Sequence, residues 1–199
     1  MRVTIGQINT TNGDYEGNVE KILRAIEQAR RERSDLVVFP EVSVQGYTSL
    51  DWFLDRDIAE SALKPLEKII PATRGLTAVV GTVRPTGETH GRKLFNSAAV
   101  IRDGRLLGFA DKTLLPEYDV FDDPRYFETG RQRRLFELDQ DKLGVVVCED
   151  IWSPFGPLAT QAAGGAGLSG AHRFGCLLRA PRLSHSTHAG RTRNLKLST

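Results

Sequence analysis

Leu143-Gly144-Val145-Val146-Val147-Cys148-Glu149-Asp150-Ile151-Trp152 is the stretch on which the reading of this 199-residue chain turns. Its apolar run predicts a buried strand. A thiol at the carboxyl end of such a strand is held at a sheet edge, where open α/β folds place their chemistry. Two other residues occupy the same kind of position. Glu41 follows Leu36-Val37-Val38-Phe39-Pro40, and Lys112 follows Leu106-Leu107-Gly108-Phe109-Ala110-Asp111. One thiol, one carboxylate and one ammonium, each closing an apolar run, suggest a nucleophilic cysteine with a base and an electrostatic helper. Taken singly, each also has an ordinary role: a small buried hydrophobe, a loop carboxylate, a solvated lysine.

Composition sets the frame. Hydrophobic residues make up 40% of the chain and charged residues 26%, as in soluble globular proteins, and the length suits one domain with a real core. No apolar run approaches membrane-spanning length, and residues 2–9 read as a strand instead of a signal peptide, so no membrane partner is expected. The two cysteines, Cys148 and Cys176, make no disulfide framework, which points to a reducing cytoplasm. All 25 acidic residues lie between Asp14 and Asp150, so residues 1–150 carry a net −4 and residues 151–199 a net +6. That basic tail has no cluster and almost no aromatics for stacking, which argues against a nucleic-acid partner.

Residues 18–33 place Val19, Ile22, Leu23, Ile26 and Ala29 on one helical face, with arginines at the carboxyl end to suit the helix dipole. Residues 36–39 follow as a buried strand. A second helix is expected over 57–70, kinked or broken at Pro65. Residues 77–83 read as a third strand. Asp103-Gly104 is a tight hairpin signal between strands over 95–101 and 105–110, and 135–138 with 142–147 form another pair. Two β-α units followed by hairpins predict a mixed α/β layer structure.

Three local words occur in order: Leu36-Val37-Val38-Phe39-Pro40-Glu41 with Gly46-Tyr47, Asp111-Lys112-Thr113-Leu114-Leu115-Pro116, and Val147-Cys148-Glu149-Asp150-Ile151-Trp152. Together they closely resemble the nitrilase, or carbon–nitrogen hydrolase, superfamily. The stretch Leu115-Pro116-Glu117-Tyr118-Asp119-Val120-Phe121-Asp122-Asp123-Pro124-Arg125-Tyr126-Phe127 most resembles the glutamine amidotransferase domain of glutamine-dependent NAD synthetases, with Asp123 where that group has a glutamate. The resemblance implies a four-layer αββα sandwich, self-association into a homo-oligomer and a catalytic triad of Glu41, Lys112 and Cys148. It implies glutamine as substrate, with Glu149 binding it through an N–H that faces the oxyanion and with Tyr118 either binding it or serving as a core tyrosine. No cofactor is implied for the amidase reaction. ATP would belong to a synthetase domain, of which this sequence shows no pyrophosphate loop.

Past Ser153-Pro154 the likeness fades. Gly156-Pro157-Leu158-Ala159 and Ala162-Ala163-Gly164 resemble the helix after the nucleophile, but residues 165–199 offer no further strand. The expected organisation is an incomplete hydrolase domain over 1–164 and an atypical, frameshifted or disordered tail over 165–199. Three functions stay open: the ammonia-supplying amidase, a free-standing nitrilase-type amidase or carbamoylase, and a truncated non-catalytic fragment.

Overall fold

In the computed structural model, residues 1–132, 134–139, 141–153, 156–157 and the backbone of 176–181 are described. Strands β1 (Val3–Ile5), β2 (Leu36–Val38) and β3 (Thr77–Pro85) are parallel, and β4 (Leu94–Arg102) and β5 (Arg105–Asp111) continue the sheet antiparallel in sequence order. The β4–β5 hairpin turns on Asp103 and Gly104, both at positive φ (49° and 75°), which is the turn the Asp-Gly signal predicts. A second sheet has the order β6 (Leu135–Leu138), β7 (Asp141–Val146), β8 (Cys176–Pro181).

Period-two alternation sorts the first sheet's side chains onto two faces. Val37, Ala78, Val80, Ala99 and Ile101 meet helices α1 (Tyr15–Arg31) and α3 (Leu66–Ala72), whose buried stripe is Val19, Ile22, Ile26, Ala29, Leu66 and Ile69. Leu36, Val79, Ala98, Val100 and Ala110 face the other way and pack on Phe136, Leu143, Val145 and Val147 of the second sheet. The layers are therefore α, β, β. The fourth layer, expected from 156 onward, lies almost wholly outside the described residues. No described helix is long and apolar enough to cross a membrane.

The predicted second helix is broken, as Pro65 requires: α2 covers Arg56–Ser61 and α3 starts at Leu66. The first strand is shorter than expected, because pairing with β2 extends only over Val3–Ile5. One expectation fails. The sequence reading placed no strand after residue 164, yet Cys176–Pro181 pairs antiparallel along β7, with Val146 opposite Cys176 and Asp141 opposite Pro181. The short apolar run Cys176-Leu177-Leu178 is sufficient, because β7 would otherwise be an edge with unpaired backbone donors and acceptors. The rest of the 165–199 tail lies outside the described residues.

Gly81 in β3 has a specific steric task. A Cβ there would lie 2.0 Å from Pro40 O and 2.5 Å from Val42 N, so the strand can approach the segment carrying Glu41 only without a side chain. Gly81 O in turn accepts from Val44 N at 3.1 Å and from Ser43 Oγ at 3.1 Å. Gly81→Ala is expected to cost about 1–3 kcal/mol in urea unfolding, as overpacking against an unyielding backbone does. Parental stability in that variant would refute the close approach.

Candidate active site

In-register strand ends bring the candidate residues together. β2, β3 and β5 run the same way, so Glu41, just past β2, and Lys112, just past β5, emerge at one end of the sheet; Asn96, near the start of β4, lies there too. The row of side chains facing the second sheet ends in polar groups. Val100 and Ala98 lead to Asn96, and Ala110 leads to Lys112. On the opposing sheet Leu143, Val145 and Val147 lead to Cys148, which opens a 3₁₀ turn over Cys148–Ile151.

Lys112 is completely buried. Its Nζ donates to Glu41 Oε1 at 2.7 Å and to Asp123 Oδ2 at 2.6 Å. Burial alone would lower the lysine's pKa, but the two carboxylates outweigh it and hold the ammonium above its usual value. Asp123, at the start of α4 (Asp123–Tyr126), is pushed up by burial and pulled back by Lys112. Glu41 Oε1 also accepts from Asn96 Nδ2 at 2.6 Å.

The Cys148 thiol is close enough to Glu41 to feel its carboxylate, whose Oε2 is buried with no hydrogen-bond partner. Burial first, then the Glu41 carboxylate, pushes the thiol up to about 12, with Lys112 acting the other way. At rest the sulfur is protonated and inert; it becomes a nucleophile only if a neighbour removes its proton. The structure thus brings the three predicted triad residues into one place. Tyr47, from the 3₁₀ helix Tyr47–Leu54, points its buried, unpartnered hydroxyl at the same cluster. Its pKa is raised by burial and by Glu41, Asp123 and Cys148, so it stays a phenol.

Tyr118 and Glu149 sit at the rim. The Tyr118 hydroxyl donates to Glu149 Oε2 at 2.8 Å and Tyr118 is 56% exposed, whereas Glu41 and Lys112 are buried and Cys148 is half-buried.

Backbone strain collects at the same place. Val42, directly after Glu41, has φ 50°, and Cys148 has φ 46°. The left-handed region is uncommon for any side chain and an outlier for a β-branched one, so packing must impose both.

Three of the residues that build this arrangement did not appear as site residues in the sequence reading. Asp123 had a signal, since it stands where the family motif has a carboxylate. Asn96 had a fainter one, an amide among the small residues of an otherwise buried strand. Asp150 was hidden inside the Cys-Glu-Asp word. Its Oδ1 accepts from Thr113 N at 3.0 Å and Leu114 N at 2.7 Å, and its Oδ2 from Val147 N at 3.3 Å, tying the segment after Lys112 to the turn that carries Cys148. Asp111, beside Lys112, faces the other side and is clamped by Arg84 Nε and Ser97 Oγ, each at 2.7 Å.

Residues 2–176 match the carbon–nitrogen hydrolase family. The glutamine-dependent NAD(+) synthetase of Thermotoga maritima is 39% identical over 166 residues, 82% of this chain and 28% of that protein. The enzyme of the same name from Aquifex aeolicus is 38% identical over 84% of this chain and 29% of its own length. The structure of the glutamine-dependent NAD+ synthetase of Acinetobacter baumannii superposes with a TM-score of 0.74 at 35% identity, covering 81% of this chain and 30% of that one. A Nesterenkonia amidase of the nitrilase superfamily superposes with a TM-score of 0.72 at 21% identity, over 84% of this chain and 62% of the other, and shares the fold. The chain thus has the mixed α/β nitrilase-type fold and spans under a third of the NAD synthetases it matches.

Asp150 yields a test. Burial raises its carboxyl from 3.8 to about 6, against the pull of its three backbone donors. Because the folded value is the higher one, this group's contribution to stability is fully present below about pH 4 and lost as pH rises through about 6. Asp150→Asn has no such titration. Its stability relative to the parent is expected to fall by about 3 kcal/mol between neutral pH and pH 4, measured by urea unfolding. Asp150→Ala leaves three N–H groups unpaired and should cost about 3 kcal/mol or more at any pH. A flat difference between Asn variant and parent would contradict the raised value.

Proposed function

Because the chain belongs to the carbon–nitrogen hydrolase family, we propose that it is the amidase unit of a glutamine-dependent NAD synthetase and releases ammonia from the side-chain amide of glutamine. The observation that carries this reading is the buried Lys112–Glu41 pair set against the Cys148 thiol. The identity to glutamine-dependent NAD synthetases supports glutamine among amide substrates.

The proposed chemistry uses the chain's own residues. Glu41 Oε2 takes the thiol proton as the sulfur attacks the amide carbon, which removes the obstacle of the raised thiol pKa. Negative charge then develops on the carbonyl oxygen. Lys112, with two of its three protons committed to Glu41 and Asp123, offers the third to that oxygen, and the Glu149 N–H is a second donor. Such donors contribute roughly 3–4 kcal/mol each to the transition state. The C–N bond breaks and ammonia leaves with the proton held by Glu41. Water, deprotonated by Glu41, hydrolyses the thioester to glutamate and restores the thiol. The amidase steps need no cofactor; ATP would serve a synthetase domain joined to this unit. At the rim, the Tyr118–Glu149 pair would hold the amino-acid end of glutamine, a carboxylate suiting its ammonium.

Ammonia release from glutamine by the parent chain, coupled enzymatically to NADH oxidation, is the direct measurement. Cys148→Ala is expected to abolish it with the melting temperature unchanged, and Tyr118→Phe to raise KM several-fold with kcat little altered. Hydrolysis of simple nitriles or N-carbamoyl compounds with glutamine untouched would overturn the substrate assignment.

A further inference from the structure

The two oxygens of the Glu41 carboxylate are treated unequally. Oε1 accepts from both Lys112 Nζ and Asn96 Nδ2, while Oε2 is buried with no hydrogen-bond partner, and the carboxylate acts on the neighbouring Cys148 thiol. We propose that Asn96 is a positioning residue of the amidase reaction: with Lys112 it saturates Oε1, fixes the rotation of the carboxylate, and reserves Oε2 as the acceptor for the Cys148 proton. The inference rests on the reading of Cys148 as nucleophile and Glu41 as its base.

Lys112 alone would not achieve this. Its ammonium sits on a flexible stem and is shared with Asp123, so it can follow the carboxylate as it turns. The Asn96 amide hangs on a single short side chain from β4, and it is 1% exposed. Its backbone is fixed as well. Asn96 O accepts from Lys112 N at 2.8 Å, so one residue sets the carboxylate through its side chain and the lysine through its main chain. The arrangement also carries a cost that packing does not explain. Asn96 Oδ1 is buried without a partner, whereas an apolar residue would fill the same inward position with no orphaned acceptor.

The titratable groups around Glu41 are Lys112, Asp123, Cys148 and the Tyr47 hydroxyl. They remain in place when Asn96 is changed, so the variants report on the amide itself. The measurement is the rate of Cys148 alkylation by iodoacetamide without amide substrate, read at the Cys148 peptide by mass spectrometry. Asn96→Leu and Asn96→Asp are both expected to react about tenfold more slowly than the parent near pH 7.5, because the base no longer faces the thiol. In Asn96→Asp the rate relative to the parent should recover toward about pH 5, as the protonated carboxyl regains a donor for Oε1, while Asn96→Leu stays slow. Melting temperatures of both variants within a few degrees of the parent separate a misaimed carboxylate from a disturbed fold, which would lower them. If Asn96→Leu does not fold, the Asn96→Asp profile decides alone. A folded variant alkylated as fast as the parent, or faster, overturns the proposal. A parent no faster than Glu41→Gln instead sinks the thiol–base reading on which it rests.

Discussion

An ammonium with no solvent contact is the constraint around which this molecule is organised. Lys112 is the largest fully buried side chain among the described residues, and its charge is carried by ion pairs to Glu41 and Asp123. Moving such a charge out of water costs several kcal/mol even after relaxation, and loss of one partner of a buried pair typically costs about 3–5 kcal/mol. Loss of either carboxylate is therefore felt by the ammonium. That couples β2, which presents Glu41, to β5, which presents Lys112, and both to α4, which presents Asp123. The cluster of Val42, Phe53, Ala62, Val83, Leu94, Tyr126 and Phe127 packs these elements at the end of the sheet and so holds the carboxylates where the ammonium needs them.

The same coupling accounts for where strain is found. Val42 and Cys148 both adopt positive φ, at a combined cost of a few kcal/mol. Each strained residue is anchored by groups on either side. Val42 lies against the strand at Gly81, where no side chain intervenes. Cys148 lies between Val147 N–H and Asp150, which are hydrogen-bonded to each other across it. The strain takes the chain out of regular strand geometry directly after the carboxylate and at the thiol itself. A relaxed strand end would point them along the alternating faces of their own sheets.

Much of this was legible in the sequence, and what was missed shares a cause. Apolar runs closed by Glu41, Lys112 and Cys148 mark strand ends directly, because burial and period-two alternation are local properties. Helix α1 and the Asp103-Gly104 hairpin were readable for the same reason, the first through its apolar stripe and the second through its turn chemistry. Asn96, Asp150 and the pairing of β8 depend on what lies opposite in space. An amide in a buried strand reads as an exception until a carboxylate is found facing it. Asp150 reads as a turn residue until its acceptors are seen to reach Thr113 and Leu114, some 36 positions away. Cys176–Pro181 sits in a basic stretch without a strand signal of its own, yet an open edge on β7 is enough to recruit it.

The sheets themselves carry the last step. Glu41 and Lys112 belong to the first sheet and Cys148 to the second, so neither sheet holds the candidate triad alone. What joins them is the apolar layer between the sheets, in which Leu36, Val79, Ala98, Val100 and Ala110 meet Phe136, Leu143, Val145 and Val147. Burial at roughly 25 cal/mol per Å² makes that layer the main force holding thiol to base, and it is non-directional. Direction is added at the end of that layer by buried hydrogen bonds. Asp150 locks the segment after Lys112 to the Cys148 turn, and Asn96 locks the carboxylate. Hydrophobic contact thus decides that the groups meet, and a few buried polar contacts decide at which atoms they do so.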